Sequence, residues 1–233
     1  MTGHAVPTAH LSDADRTAMR ALMQAHFEDV TPQQFDADLA EKNWAILLRS
    51  PNGTLAGFST ILAYERELVG EPVTVIYSGD TIMARDARGT AALPRTWIAA
   101  VNAIRRGRPG RRCLWLLITS GYRTYRFLPV FWHEFYPRFD QSTPPAVQRA
   151  MDALAAERFG PAYDAASGIV RFPRPQILRP ALAGVPPERM ADPHVAFFAR
   201  RNPGHGRGDE LVSLCELGDD NLTPAGARMV GGR

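Results

Sequence analysis

The chain almost lacks lysine. Of its 27 basic residues only Lys42 is a lysine, and the rest are arginine. With the abundance of alanine, this imbalance reads as a product of coding-sequence base composition, so the formal net charge of +3 is a weak guide to partners. Cysteine is nearly as scarce. Cys113 and Cys215 lie far apart inside apolar runs, LWLL and LCEL, and read as two reduced, buried thiols of a cytoplasmic protein. No apolar run approaches the roughly 20 residues of a membrane-spanning helix. The first residues, MTGHAVPTAHLSDADR, lack a basic n-region and an apolar h-region, so no secretory signal is expected. Motifs of covalent catalysis are also missing. There is no Gly-x-Ser-x-Gly elbow, and neither cysteine has a histidine close by in sequence. His133-Glu134 lacks the second histidine of a zinc-protease helix, and His194, His205, Asp209 and Glu210 have no ligand spacing. Those four read as surface polar groups, and no metal is expected.

What is present indicates a globular chain. At 233 residues, 45% hydrophobic and 22% charged, it is long and apolar enough for a substantial core. It is read as one domain, 1–233, with an extended C-terminal region from about residue 140. Charge is unevenly placed. Between Arg85 and Arg126 there are ten arginines against one acid, Asp86, whereas acids dominate from Ser12 to Asn43. Such a strip is expected to attract phosphates or an acidic partner surface.

Periodicity and turn chemistry order the elements. Ser12-Asp13-Ala14-Asp15 resembles a capping box, followed by a helical face of Met19, Leu22, Met23, Phe27 and Val30. Thr31-Pro32-Gln33-Gln34 starts a second helix, with Phe35 and Leu39 inward. These two helices are expected to come first. Trp44–Arg49 and Thr54–Glu65 read as strands joined at Ser50-Pro51-Asn52-Gly53, and a third strand runs from Val73 to Met83. Leu93, Trp97, Val101 and Ile104 fall at helical spacing, and Pro94 suits the first position of that helix. Cys113–Thr119 is a continuous apolar run and hence a buried strand. Tyr125, Leu128, Trp132 and Phe135 share a helical face that Pro129 should kink or divide. A helix is expected over Val147–Phe159, and short strands at Ile169–Phe172, Val195–Phe198 and Glu210–Leu217. The end, Thr223–Arg233, is expected to fray.

The strand, arginine-bearing turn and helix start over residues 73–104 form a potential phosphate-binding geometry. Three stretches carry a resemblance to a known family. LLRSPNGTLAGFSTI, IYSGDTIMARDARGTAAL and LLITSGYRTYRFLPVFWHEF, in this order, resemble the second to fifth strands, donor loop and following helix of the GNAT superfamily of N-acyltransferases. The resemblance covers roughly residues 10–140. It implies an α+β fold: a GNAT-like mixed, mostly antiparallel, twisted sheet flanked by helices. It implies acyl transfer from a thioester to the amine of a small molecule by direct attack. The donor would be acyl-CoA or acyl-phosphopantetheine on an acidic acyl carrier protein, as in the acyl-carrier-dependent N-acyl synthases. The family loop runs Arg/Gln-x-x-Gly-x-Gly/Ala. Here only Arg88-Gly89-Thr90-Ala91 matches, and Leu93 stands where a small residue is wanted.

The same resemblance implies site residues. Ile82 and Met83 would face the pantetheine arm and thioester. Arg85, Arg88, Gly89, Thr90 and Ala91 would face its phosphates, and Thr119 and Ser120 the pantetheine amides. Asp80, an acid within an apolar strand, is the candidate base, because a buried carboxyl needs a reason to be there. Tyr125 is the candidate proton donor to the leaving thiolate, with Tyr122 as its competitor. A non-catalytic module that senses acyl thioesters is the alternative. Nucleic-acid binding is disfavoured, since Trp97, Trp115, Tyr122 and Tyr125 sit in apolar patterns rather than among exposed basic residues.

Overall fold

The computed structural model describes residues 1–87 and 89–230. In chain order the strands are β1 (Thr2–Pro7), β2 (Trp44–Arg49), β3 (Leu55–Leu68), β4 (Glu71–Met83), β5 (Arg112–Thr119), β6 (Tyr163–Asp164), β7 (Ile169–Val170) and β8 (Glu210–Glu216). The helices are α1 (Asp13–His26), α2 (Pro32–Ala40), α3 (Ala92–Arg106), α4 (Tyr122–Tyr125), α5 (Phe127–Phe131), α6 (Pro145–Phe159), α7 (Pro180–Ala183), α8 (Pro193–Arg201) and α9 (Pro224–Val230). The strands form one sheet in the order β1-β2-β3-β4-β5-β8-β7-β6. Only β4 and β5 run parallel; the other neighbours are antiparallel. This is the expected α+β architecture, a mixed and mostly antiparallel sheet flanked by helices. A parallel pair needs a crossover, and α3 supplies it.

Local chemistry starts the elements. The Ser12 hydroxyl accepts from the Asp15 N–H at 3.1 Å and donates to the Asp15 carboxylate at 2.8 Å. The Thr31 hydroxyl accepts from the Gln34 N–H at 3.2 Å, ahead of Pro32 in the first turn. In the β2–β3 turn the Asn52 side-chain oxygen accepts from the Thr54 N–H at 3.1 Å, and Gly53 takes φ +85°. The β3–β4 turn is less well matched. Val69 has φ +53° and is 96% exposed, beside Gly70 at φ +80°. A β-branched residue is strained in the left-handed region, and this one buries nothing in return. Val69→Asn, with a residue that accepts positive φ, is therefore expected to raise stability by about 0.5–1 kcal/mol. Urea denaturation reads the change, and an unaltered or lower midpoint contradicts it.

The sheet is covered on both faces. On one face α1 and α2 pack on Ala45, Leu47 and Phe58, while Met151, Leu154 and Ala155 of α6 pack on Val75, Tyr77, Leu114 and Leu116. On the other, Trp97, Ile98 and Val101 of α3 lie with Ile46, Leu48, Ile61, Ile76, Trp115 and Leu117, together with side chains of α5 and α8. β5 is thus buried on both sides, which accounts for its unbroken apolar sequence.

Four expectations need correction. A strand, β1, precedes the first helix. It is an edge strand with largely exposed residues, so it carries no apolar period. Val195–Phe198 is helical within α8, started by Pro193 in the first turn and by the Asp192 carboxylate, which accepts from the His194 N–H at 3.0 Å. A short apolar run does not distinguish strand from helix by period. Of Thr223–Arg233, expected to fray, Pro224–Val230 form α9, held by the Thr223 hydroxyl, which accepts from the Gly226 N–H, and by close packing of Gly226 on the Phe131 carbonyl; residues 231–233 lie outside the described residues. α3 begins at Ala92, so Pro94 is its third residue rather than its first. The aromatic helix is divided as expected, although the break falls at Arg126, ahead of Pro129.

Candidate functional site

The site grows out of a disagreement between two ladders. β4 pairs with β5 only from Val73↔Arg112 to Ser78↔Leu117. Its pairing with β3 continues to Met83. Within that second ladder Ser59 faces Thr81 while Ile61 faces Ser78, so β4 carries one extra residue, and Gly79 and Asp80 together oppose Thr60. Such a bulge bends its strand and re-aims a side chain. Glycine is required at the bend: a Cβ on Gly79 would lie 2.4 Å from Thr60 Oγ1 and 2.8 Å from Lys42 Cε. Beyond Ser78 the β4–β5 ladder stops, and two cavities flank the parted strand ends.

The first cavity, about 360 Å³, is lined by Asp80, Glu210, Asp38 and Lys42, with Tyr77, Phe159 and Phe172 as its aromatic wall. The second, about 470 Å³, is lined mainly by apolar groups, among them Ile82, Met83, Leu93, Phe127 and Phe131. Phe27, Thr81, Gly121, Thr124 and Leu178 line both, so the cavities meet there. The segment 171–179 crosses this junction. It is clamped to the end of α1 by Glu28 N–H to the Ile177 carbonyl at 2.8 Å and Arg179 N–H to the His26 carbonyl at 2.9 Å.

Asp80 faces the first cavity, half-buried and surrounded by protein. Burial pushes its carboxyl up to about 6, and the nearby charge of Asp38 adds to this, while Lys42 and a hydrogen bond from Gln176 oppose it. Burial also pushes Glu210 up to about 8, helped by the charge of Asp80. Lys42 is shifted down by burial, with Asp80 the largest charge acting against that shift. The two carboxyls thus titrate on either side of neutral pH, Asp80 below it, where it serves as a carboxylate base, and Glu210 above it, where it keeps its proton. Glu210 is therefore not the surface polar group expected from its sequence spacing. The signal was an acid opening the apolar strand LVSLC at the sheet's C-terminal side.

The other sequence-predicted residues divide. Thr119 and Ser120 line the first cavity, and Ile82, Met83, Gly89 and Thr90 the second. The Thr119 hydroxyl is committed to Gly121, accepting from its N–H and donating to its carbonyl at 3.0 Å. Arg85 and Ala91 are exposed and line neither cavity, and Arg88 lies outside the described residues. Tyr125 is a core residue. It is fully buried against Phe135, Phe197 and Phe198, its hydroxyl donates to the Pro137 carbonyl at 2.9 Å, and it lines neither cavity. The helix turns Tyr122 instead toward the second cavity, with the Arg123 guanidinium 4.6 Å from its ring centre. The tyrosine expected as proton donor, Tyr125, thus lies away from both cavities, and its competitor, Tyr122, lines the second.

The anion-binding potential of α3 is small. Ala91 gives no side-chain cap, Pro94 has no N–H, and the buried Leu93 side chain lines the cavity. The basic strip is also less charged in space than along the chain. Arg105 pairs with Asp219, Arg111 with Glu65, Arg112 with Glu216 at 2.7 Å and Arg126 with Asp192 at 3.0 Å. All four acids lie outside the strip. Exposed pairs add little stability, but they cancel much of the field that ten arginines would project. Among the described residues no cluster of three or more His, Cys, Asp or Glu is placed to hold a metal. No described helix is long and apolar enough to cross a membrane.

No protein-family model matches the chain, and no curated protein matches it by sequence. Solved structures match it in fold. One is the GNAT family N-acetyltransferase YhbS from Escherichia coli in complex with CoA: 13% identity over 55% of this chain and 68% of that chain, TM-score 0.41. Another is Escherichia coli ElaA: 20% identity over 58% of this chain and 92% of that one, TM-score 0.41. A third is a conserved protein from Enterococcus faecalis V583 described as a probable N-acyltransferase: 15% identity over 58% of this chain, TM-score 0.42. This chain spans only 33% of the length of the Enterococcus protein. Matches at this identity and TM-score carry nothing about substrate or chemistry.

Proposed function

We propose that the chain is a GNAT-like N-acyltransferase, moving an acyl group from a thioester donor to the amine of a small molecule by direct attack. The observation that supports this most is the meeting of two unlike cavities across the parted ends of β4 and β5, with the raised carboxyl of Asp80 on one side only. The thioester arm occupies the apolar second cavity beside Ile82 and Met83, and the amine enters the first. Asp80 takes a proton from the ammonium. The freed nitrogen attacks the thioester carbonyl, the new C–N bond forms, and the C–S bond breaks. Tyr122, rather than Tyr125, supplies the proton to the departing sulfur, and the second proton shed by the nitrogen as it becomes an amide restores the Tyr122 hydroxyl. One domain serves both substrates: residues 10–140 build most of the donor side, closed by Leu178, Leu182 and Ala183, and the region beyond 140 contributes Arg158, Phe159, Phe172, Gln176 and Glu210 to the acceptor side.

The weak anion cradle at α3 makes the donor's carrier the open point of the reading. Acetyl-CoA and longer acyl-CoAs, tested by thermal shift beside an acylated carrier protein, separate the cases. At a hundredfold excess over Kd, ligand binding stabilises by about 2.7 kcal/mol, or about 5–10 °C for a chain of this size. A shift with the carrier alone moves the donor to acyl-phosphopantetheine. Binding without turnover of any amine favours the sensing module, and no shift with any thioester overturns the proposal.

A further inference from the structure

Lys42 is the one lysine among 27 basic residues, and it lines the first cavity. A composition that favours arginine everywhere else has left a lysine at this one place. The geometry offers a reason. The stem passes beside Gly79, where even an added Cβ would come within 2.8 Å of Lys42 Cε, so the passage suits a slim ammonium better than a planar guanidinium. The side chain is only 6% exposed.

Its hydrogen bonding is incomplete. Nζ donates to the Asp38 carbonyl at 2.9 Å. The nearest carboxylate oxygen among the described residues, on Glu41, is 4.0 Å away, and the ring centre of Tyr77 is 5.6 Å away. An ammonium has three donors, and leaving two without acceptors in a buried site is costly. Asp80 and Glu210 line the same cavity and have no ion pair within 4.0 Å among the described residues, although Asp80 is the largest charge acting on Lys42. The cavity therefore presents a positive group short of acceptors and two carboxyls without a close ion pair, of which Asp80 holds a hydrogen bond from Gln176.

We propose that the acceptor is a compact primary amine carrying an anionic group, carboxylate or phosphate, a few bonds from its nitrogen, with Lys42 holding the anion and Asp80 and Glu210 receiving the ammonium. A simple monoamine would leave Lys42 unmatched, and a diamine would set a second ammonium against it. The aromatic wall of Tyr77, Phe159 and Phe172 leaves room for an apolar substituent. This inference rests on the reading of the first cavity as the acceptor site.

Ligand-observed NMR on the full chain tests it, using glycine, L-phenylalanine and O-phosphoethanolamine against methylamine, phenethylamine and putrescine. Amines with an anionic group should bind at least about tenfold tighter than their counterparts without one, as a charge-assisted hydrogen bond provides. Lys42→Met keeps the stem's packing and should bring that ratio close to one, while Lys42→Gln should reduce it partly. Melting curves establish that both variants fold. The phosphate and carboxylate probes tell which anion is preferred. Equal binding of putrescine, a ratio that survives in Lys42→Met, or binding of none of the probes overturns the proposal. Acyl-CoA binding is measured separately. Its absence would sink the acyltransferase reading without touching the amine result, and the reverse outcome would sink only the acceptor class.

Discussion

Replacing Asp80 with Asn lowers kcat for acyl transfer by about 10²- to 10⁴-fold, the range contributed by a positioned general base. The side chain sits on the one bulge of β4, aimed into the first cavity, and Asn keeps its size while removing its basicity. The pH profile gives the same assignment independently. Asp80 is pushed up to about 6, so in the parent protein kcat/KM should rise as pH passes through that value and the carboxylate becomes able to accept a proton. The groups acting on it are Asp38 on α2, Lys42 just beyond α2 and Gln176 on the overlying segment; Tyr77 on β4 and Glu210 on β8 feel its charge, and Glu41 and Arg158 of α6 line the same cavity and act on Lys42. Because Glu210 interacts with Asp80, the observed values belong to the pair. Asp80→Asn should remove the rise near 6. For folding the sign is opposite. Both carboxyls titrate higher in the folded chain than in the unfolded one, so their contribution to stability is present at low pH and is lost as pH rises through about 6 and then about 8. An Asn variant with unchanged kcat and an unchanged profile would remove Asp80 from the chemistry.

Trp115→Ala is expected to cost about 3–5 kcal/mol, the usual loss for truncating a buried tryptophan. The ring is 2% exposed, and it lies 4.5 Å from Trp97 and 5.1 Å from Trp132 between ring centres, tying α3 and the end of α5 to the sheet. Its N–H donates to the Ser78 hydroxyl at 2.9 Å. Ser78 is the last residue of β4 paired with β5, so the tryptophan cluster supports the point where the cavities open. Domains of this kind are stable by about 5–15 kcal/mol, and the loss corresponds to a fall in Tm of about 6–20 °C. Trp115→Phe should recover part of it. Urea denaturation measures the difference, and a loss below about 1 kcal/mol would mean that the cluster does not carry the packing assigned to it.

These elements also show what the sequence made legible. β2, β5, α2 and α6 were readable because each joins a strong apolar pattern to a local start signal, such as Thr31-Pro32 or Ser50-Pro51-Asn52-Gly53. β1 was invisible because an exposed edge strand has no apolar period. α8 was misread because Val195–Phe198 is too short for its period to decide. Asp80 is legible as an acid in an apolar strand, but the bulge that aims it depends on register, which no single strand encodes. Glu210 and Lys42 join Asp80 only through the order of β4, β5 and β8 in the sheet and the position of α2 above it. The arginine strip misled for the same reason: its neutralising acids, Glu65, Asp192, Glu216 and Asp219, are distant in sequence.

The most direct test incubates the chain with acetyl-CoA and an amine panel that includes amino acids, and follows free thiol, amide product and intact protein mass in one mass-spectrometric time course. Direct transfer predicts free CoA and N-acetylated amine in equal amounts, dependent on Asp80, with no acetyl group left on the protein. An acetylated chain that passes its acyl group on, or amide formation at the same rate without Asp80, would contradict the account.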